Sequence, residues 1–436
     1  MKKWKKCLCS FVALLFLISL TACDTNPSGT TVAIRPSGTP AVTDDAEEPV
    51  QLPTEGWRNV NSSTPDRYAF GSDGCYFTYK SCLCFLDTAT GYTAFLCSRP
   101  ACPHGEAETG KEREQCDAYV GIDIIMMFCY NETLYYAALE EFGTQLYARD
   151  LDGTNMRKIA ILGSDYITQN TSHHMSDWSV CGNYLYYTAY VDSFEISGES
   201  YTQTGKAVFI LSRLNLANGQ EAELLRTDKE VIRMLRVNDG LVLLKTQENF
   251  DIDVDLGHLD QIPFKLCLWS EEIGGVVTLC ELDKEKQGST VGITKGQLHF
   301  RDAERGVLSA YDFTTGELGD SNLPENVTMI WNESYSGVYL DGYYHMESGE
   351  YKESVYGKMT LPEGIHKFGV EFVCIGDKGI IFREFYYNEN ANLAIDGYSI
   401  YVYVPYSKMD DGLQLSDRMI FMRRDDNDYQ LIQPES

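Results

Sequence analysis

Short apolar and aromatic runs, each broken by a polar turn, recur along most of this chain. The clearest unit lies between Met126 and Leu162. The apolar run Met126-Met127-Phe128-Cys129 meets the polar break Tyr130-Asn131-Glu132-Thr133, and the aromatic run Leu134-Tyr135-Tyr136-Ala137-Ala138 follows. A turn from Glu140 to Thr144 leads into Gln145-Leu146-Tyr147-Ala148. The turn Asp150-Leu151-Asp152-Gly153 and the run Lys158-Ile159-Ala160-Ile161-Leu162 close the unit. Runs this short, bounded by Gly, Asn and Asp, predict a four-stranded antiparallel meander.

The unit returns down the chain. Aromatic anchors stand at Cys75-Tyr76-Phe77, Leu185-Tyr186-Tyr187, Leu241-Val242-Leu243-Leu244, Leu298-His299-Phe300, Gly337-Val338-Tyr339-Leu340 with Gly342-Tyr343-Tyr344, and Gly379-Ile380-Ile381-Phe382. Several follow a turn pair such as Gly182-Asn183, Asp239-Gly240 or Lys295-Gly296. Most are trailed by a second strand that reaches a turn, as in Leu214 to Gly219 and Tyr311 to Gly316. No long stretch carries a helical period. A meander repeating every ~40–60 residues predicts an all-β fold, a β-propeller of about seven four-stranded blades, with six and eight as alternatives. An open ring would expose two sheet edges. The expectation is that Arg418-Met419-Ile420-Phe421-Met422 completes a blade begun near Tyr68-Ala69-Phe70.

The first residues read differently. Lys2, Lys3, Lys5 and Lys6 precede the apolar run Phe11 to Ile18, which is too short to span a bilayer comfortably and reads as an export signal. Leu20-Thr21-Ala22-Cys23 directly behind it resembles the lipobox of bacterial lipoproteins. That resemblance implies cleavage before Cys23 and a thioether-linked diacylglycerol on it, whose two acyl chains anchor stably. Residues 24 to 54 are rich in Thr, Ser, Pro, Gly and Asp and cannot bury a core. The organisation expected is a signal peptide over 1–22, a lipidated flexible linker over 23–56, and one propeller domain over 57–436. The protein is then a lipoprotein on the extracytoplasmic face of the cell membrane.

Charge narrows the partners. Without the leader's four lysines, 32 basic residues face 64 acidic ones. A surface that acidic repels phosphate backbones and anionic lipid, so nucleic acid is not expected and the lipid on Cys23 is the sole membrane anchor. The partner expected is an extracellular ligand, glycan or protein.

Of fourteen cysteines, Cys7 and Cys9 leave with the signal and Cys23 takes the lipid, so eleven remain. Cys129, Cys181, Cys267, Cys280 and Cys374 lie in apolar runs and read as small core residues. Cys82 and Cys84 share one face of a strand, with Cys75 on its neighbour. The outstanding pattern is Cys97, Cys102, His104 and Cys116, with C-x4-C-x-H-x11-C spacing. Three thiols and an imidazole are the donor set of a closed structural zinc site. The alternative is a disulfide of Cys116 with Cys97 or Cys102, favoured by an oxidising exterior. The segment Leu96-Cys97-Ser98-Arg99-Pro100-Ala101-Cys102-Pro103-His104, with the lipobox and the repeats, resembles propeller-like surface lipoproteins of Gram-positive bacteria. The resemblance implies a fold and a location but no activity.

Other polar clusters are weaker. Asp251 to Gly257 misplaces the Gly and the closing Glu of a calcium-binding EF-hand loop, and it reads as a solvated insertion. Asp425-Asp426-Asn427-Asp428 reads the same way, with a looser calcium site as the alternative for both, and the pair His173-His174 reads as a solvated loop, with metal ligation as its alternative. There is no G-x-S-x-G, H-E-x-x-H or phosphate-binding G-x-x-x-x-G-K-[ST] motif. Three readings remain: a non-catalytic binding or interaction module, an extracellular enzyme using central-channel carboxylates on polysaccharide or peptide, and a metal- or redox-responsive module.

Overall fold

A computed structural model describes the chain from residue 57 onward, apart from short stretches and three longer ones at 249–263, 324–342 and 354–364. Two very short strands come first, β1 (Arg58–Asn59) and β2 (Asn61–Ser62). Seven antiparallel sheets follow in chain order. The first holds β3 (Tyr68–Phe70), β4 (Gly74–Tyr79), β5 (Cys82–Asp87) and β6 (Thr93–Phe95). The second holds β7 (Ile124–Tyr130), β8 (Thr133–Glu140), β9 (Gly143–Asp150) and β10 (Arg157–Leu162), the meander read from the sequence.

The third contains β11 (Thr171–Cys181), β12 (Tyr184–Ser197), β14 (Val208–Asn215) and β15 (Glu221–Thr227), with β13 (Ser200–Gln203) pairing the far end of β12. The fourth has β16 (Glu230–Asn238), β17 (Leu241–Glu248), β18 (Phe264–Ser270) and β19 (Gly275–Leu282). The fifth has β20 (Thr290–Thr294), β21 (Gln297–Arg301), β22 (Leu308–Asp312) and β23 (Leu318–Asp320). Two strands of the sixth are described, β24 (Tyr343–His345) and β25 (Tyr351–Glu353). The seventh runs through β26 (Ile365–Ile375), β27 (Gly379–Asn388), β28 (Tyr398–Pro405), β29 (Met419–Asp425) and β30 (Asp428–Leu431). The fold is a β-propeller, and the sheets are its blades.

Among the described residues, five pairs of neighbouring blades each bury a core of their own, because alternate residues of a strand point to opposite faces. Leu134, Tyr136 and Met127 of the second blade pack towards Tyr76 and Leu83 of the first, while Met126, Tyr135 and Leu146 pack towards Trp178 and Leu185 of the third. Val242 and Leu244 of the fourth blade meet Tyr186 and Leu211 of the third, and Leu243 and Leu266 meet Leu298 and Phe300 of the fifth. The ring closes the same way: Phe77 and Leu86 of the first blade pack on Ile381, Tyr403 and Phe421 of the seventh.

That closure differs from the one expected. β29 stays in the seventh sheet between β28 and β30, and β3 pairs with β4, so the two chain ends share no blade. Face-to-face burial seals the ring instead, reinforced by hydrogen bonds. Tyr79 Oη donates to the Tyr429 carbonyl at 2.7 Å, and Gln433 exchanges hydrogen bonds with Thr93 of β6.

One turn repeats around the ring. Asp87, Asn215 and Asp312 each use a side-chain oxygen to accept backbone N–H groups two or three residues on, and a glycine ends the turn. The turns at Gly91, Gly153 and Gly219 dock on the preceding blade. A Cβ on Gly153 (φ 85°) would lie 2.8 Å from the Leu96 carbonyl oxygen, and one on Gly219 (φ 71°) would lie 2.6 Å from that of Ile159. Gly91 takes the same place against Met419, again linking the first blade to the last.

The first strands of successive blades adjoin one another and form the inner wall. β1 and β2 lie against that wall. Arg58 pairs with Val237 of β16, and Asn61 with Trp178 of β11, so the N-terminal segment spans the inner edges of the fourth and third blades. Trp57, just before it, is buried against the core between the fourth and fifth blades. The two faces of the ring differ. One carries tight turns such as Asn131-Glu132 and Gly182-Asn183. The other carries the long β12–β13 hairpin. Among the described residues helix is confined to short pieces, such as Gly110–Glu114 and Tyr406–Met409. No described helix is long and apolar enough to cross a membrane.

Candidate metal centre

The outer strand of the first blade is split. β6 covers one half of β5, and Leu96 continues it with an N–H donated to the Leu83 carbonyl at 3.0 Å. The chain then leaves the sheet. It returns at Ala118, whose carbonyl accepts the Leu83 N–H at 2.7 Å, and at Val120, whose N–H reaches the Ser81 carbonyl at 2.9 Å. The residues between form an insertion with Cys97 at its exit and Cys116 at its return. The insertion thus lies where the first blade hands over to the second.

At this neck the predicted residues come together. One donor atom from each of Cys97, Cys102, His104 and Cys116 lies within 4.8 Å of all the others. Cys116 Sγ is 3.5 Å from His104 Nδ1. Cys116 is only 4% exposed, and the other three are half-buried. The turn is shaped by its backbone, since Ala101 (φ 55°) and His104 (φ 49°) both take the left-handed conformation. Phe95 stacks on the His104 ring at 4.3 Å and fixes its plane. Around the donors, Ser98 Oγ donates to Asp117 at 3.0 Å and the Arg99 guanidinium donates to the Gln115 carbonyl.

The electrostatics suit a metal. Burial lowers the His104 pKa, so its imidazole is neutral and keeps a lone pair for coordination. The thiols are unequal. Burial would raise Cys97, but N–H groups of Arg99 and Asp117, with the neighbouring thiols of Cys116 and Cys102, hold it below the ordinary range. Burial pushes Cys116 well above that range. Of these two, Cys97 gives up its proton more readily. Four protein donors fill a tetrahedral shell, leaving no coordination position for a reacting water.

The remaining candidates go elsewhere. All eleven described cysteines stand as free thiols. Cys75 and Cys84 pack into the core facing the seventh blade, with Cys75 opposite Leu86 rather than opposite another thiol. Cys129, Cys181, Cys267, Cys280 and Cys374 all lie in strands, but only Cys267 is fully buried as a core residue, and the other four are half-buried. His173 and His174 are not a solvated loop. They lie in β11, where alternation buries His173 against Tyr166 and Tyr187 and places His174 on Tyr190 beside Asp192. The apolar residues that follow, Met175 and Trp178, were the signal for a strand there. Asp425 and Asp428 close the β29–β30 hairpin, with Asp425 paired to Arg423. Cys23, the leader, the linker and the Asp251 loop lie outside the described residues.

Sequence reasoning missed two residues. Arg149, in a run of buried apolar side chains, holds the insertion's return segment by donating to the Asp117 and Tyr119 carbonyls. Asp177 ties the third blade to the fourth through Arg233. Arg149 follows the apolar run Leu146-Tyr147-Ala148, whereas Asp177 lies among the polar residues of β11 and does not stand out.

No family model matches the chain, and no curated protein matches it in sequence. Solved structures that it is similar to include an oligogalacturonate lyase in complex with manganese, 10% identical over 67% of this chain and 62% of that one, with a TM-score of 0.26. TolB from Acinetobacter baumannii is 12% identical over 59% and 53%, with a TM-score of 0.28. Pyrococcus horikoshii acylaminoacyl peptidase is 8% identical over 78% and 57%, with a TM-score of 0.42. The chain spans less than two thirds of the length of each. Likenesses this remote carry no chemistry across, and the propeller assignment rests on the seven sheets and their closure.

Proposed function

We propose that this chain is a lipid-anchored propeller on the extracytoplasmic face of the cell membrane, acting as a non-catalytic binding module stiffened by one structural zinc ion. The observation that carries the reading is the meeting of Cys97, Cys102, His104 and Cys116 at the neck of the insertion. A metal held there closes a loop of about twenty residues, where the chain has lost its strand partners, and this is a structural task. A donor set without an open position supports a non-catalytic role for the site. The inner-wall carboxylate of Asp177, a candidate for channel chemistry, is engaged by Arg233, Thr188 and Met234. The difference between the faces supports partner binding on the long-hairpin side, because loops on a rigid ring are where recognition concentrates.

Elemental analysis of protein purified without added metal, combined with thiol counting after denaturation, tests the centre. About one zinc per chain, lost in His104→Ala, is the expected result. No metal, with Cys116 bridged to Cys97 or Cys102, establishes the disulfide instead. The anchor is tested by Cys23→Ala, which should abolish incorporation of labelled fatty acid. A glycan-array and pull-down screen with the full chain tests binding. Turnover of a polysaccharide or peptide by the purified protein would overturn the non-catalytic reading.

A further inference from the structure

Arg149 of β9 is 4% exposed, yet among the described residues none of its partners is a carboxylate. Its Nη1 donates to the carbonyls of Asp117 and of Gly153, the latter at 3.3 Å. Its Nη2 reaches the Tyr119 carbonyl at 3.3 Å and the Met156 sulfur at 3.1 Å, and the guanidinium lies 5.8 Å from the Tyr136 ring centroid. Nε has no partner. A buried cation answered only by dipoles is costly, and proteins normally place an opposite charge nearby.

The surroundings point to where that charge arises. Asp117 and Tyr119 belong to the return segment that begins at Cys116, the most buried of the four donors. Three thiolates, a neutral imidazole and Zn²⁺ sum to one negative charge. We propose that Arg149 is the counter-ion of this centre. It is a positioning residue of the second blade that fixes the segment behind Cys116 and offsets the net charge of the loaded site, favouring a tris-thiolate complex over a neutral one. The inference rests on the metal reading above. It also gives the split outer strand a partner: the metal closes the insertion from within, and Arg149 locks it to the next blade.

The test titrates the metal-free full chain with Zn²⁺ against a chelating dye. Arg149→Gln should weaken zinc by about tenfold to a hundredfold, the usual range for a residue behind the ligands. Arg149→Lys, which keeps the charge and loses the fork, should recover most of that loss. Cys102→His makes the loaded site neutral, so in that background Arg149→Gln should change affinity less than about threefold. A merely structural Arg149 would cost the same in both backgrounds, and that outcome overturns the proposal. So does an Arg149→Gln chain that binds zinc like the wild type. If Arg149→Gln does not fold, Arg149→Lys carries the test, and a hundredfold loss there refutes the role of charge. Should the wild-type chain bind no zinc at all, the metal reading itself falls, whereas the other failures leave it standing.

Discussion

Asp177→Ala should loosen the junction between the third and fourth blades. The carboxylate is 3% exposed and accepts from Arg233 Nε at 2.8 Å, Arg233 Nη2 at 2.7 Å, the Met234 N–H at 3.0 Å and Thr188 Oγ1 at 2.9 Å. Breaking a fully buried pair costs about 3–5 kcal/mol. The Arg233 side chain is 52% exposed and regains water when released, so the pair itself contributes nearer to the surface value of about 1 kcal/mol. The buried Met234 N–H, left without an acceptor, adds about 1–2 kcal/mol. The expected loss is about 2–3 kcal/mol, or roughly a 30- to 150-fold rise in the unfolded fraction. Trp269 lies at this junction, and Trp178 next to Asp177 lies in the core on the other side of the third blade, so urea unfolding followed by tryptophan fluorescence reports on the region. A double-mutant cycle with Arg233→Met should show about 1 kcal/mol of coupling. An Asp177→Ala chain within about 0.5 kcal/mol of wild type, or an additive cycle, refutes the reasoning.

Two further outcomes follow from the same geometry. Gly153→Ala places a Cβ against the Leu96 backbone at a positive φ, so it should cost about 1–3 kcal/mol and speed proteolysis of the adjoining insertion; an unchanged digestion rate argues against the docking of that turn. His173 is buried, and burial followed by the nearby His174 lowers its pKa to about 4. The unfolded value is near 6.5, so stability is complete above about pH 6.5 and is lost as pH falls towards 4, by about 3 kcal/mol for this group. His173→Phe should flatten that segment of the stability profile, and an equally steep profile in the variant sets the reasoning aside.

Much of the ring was legible along the chain. The second blade follows the residues read for it because its turns, Asn131-Glu132 and Asp150 to Gly153, are local decisions made by side chains next to the bend. The ligand set was legible for a related reason: Cys97, Cys102 and His104 fall within one turn, and only Cys116 returns from a distance. Closure was not, because whether Phe421 meets Phe77 across a core or along a strand depends on residues more than three hundred positions apart. The histidine pair was misread because two adjacent polar side chains suggest water, whereas β11 turns one of them inwards. Arg149 and Asp177 escaped because their partners are backbone groups and an arginine on other blades, which leave no pattern in sequence.

The short strands β1 and β2 have a mechanical meaning. The chain reaches Arg58 beside Val237, next to the tight turn at Asp239-Gly240, and then climbs the inner wall to Ser62 beside Asp177. A pull on the chain ahead of Trp57, directed away from the tight-turn face, runs along the strand axis. It loads the hydrogen bonds to β16 and β11 together, in shear, instead of peeling them one by one. Tension on the chain ahead of Trp57 would therefore be shared between two blades and the core around Trp57 before any of it reached the split outer strand that carries the Cys/His cluster.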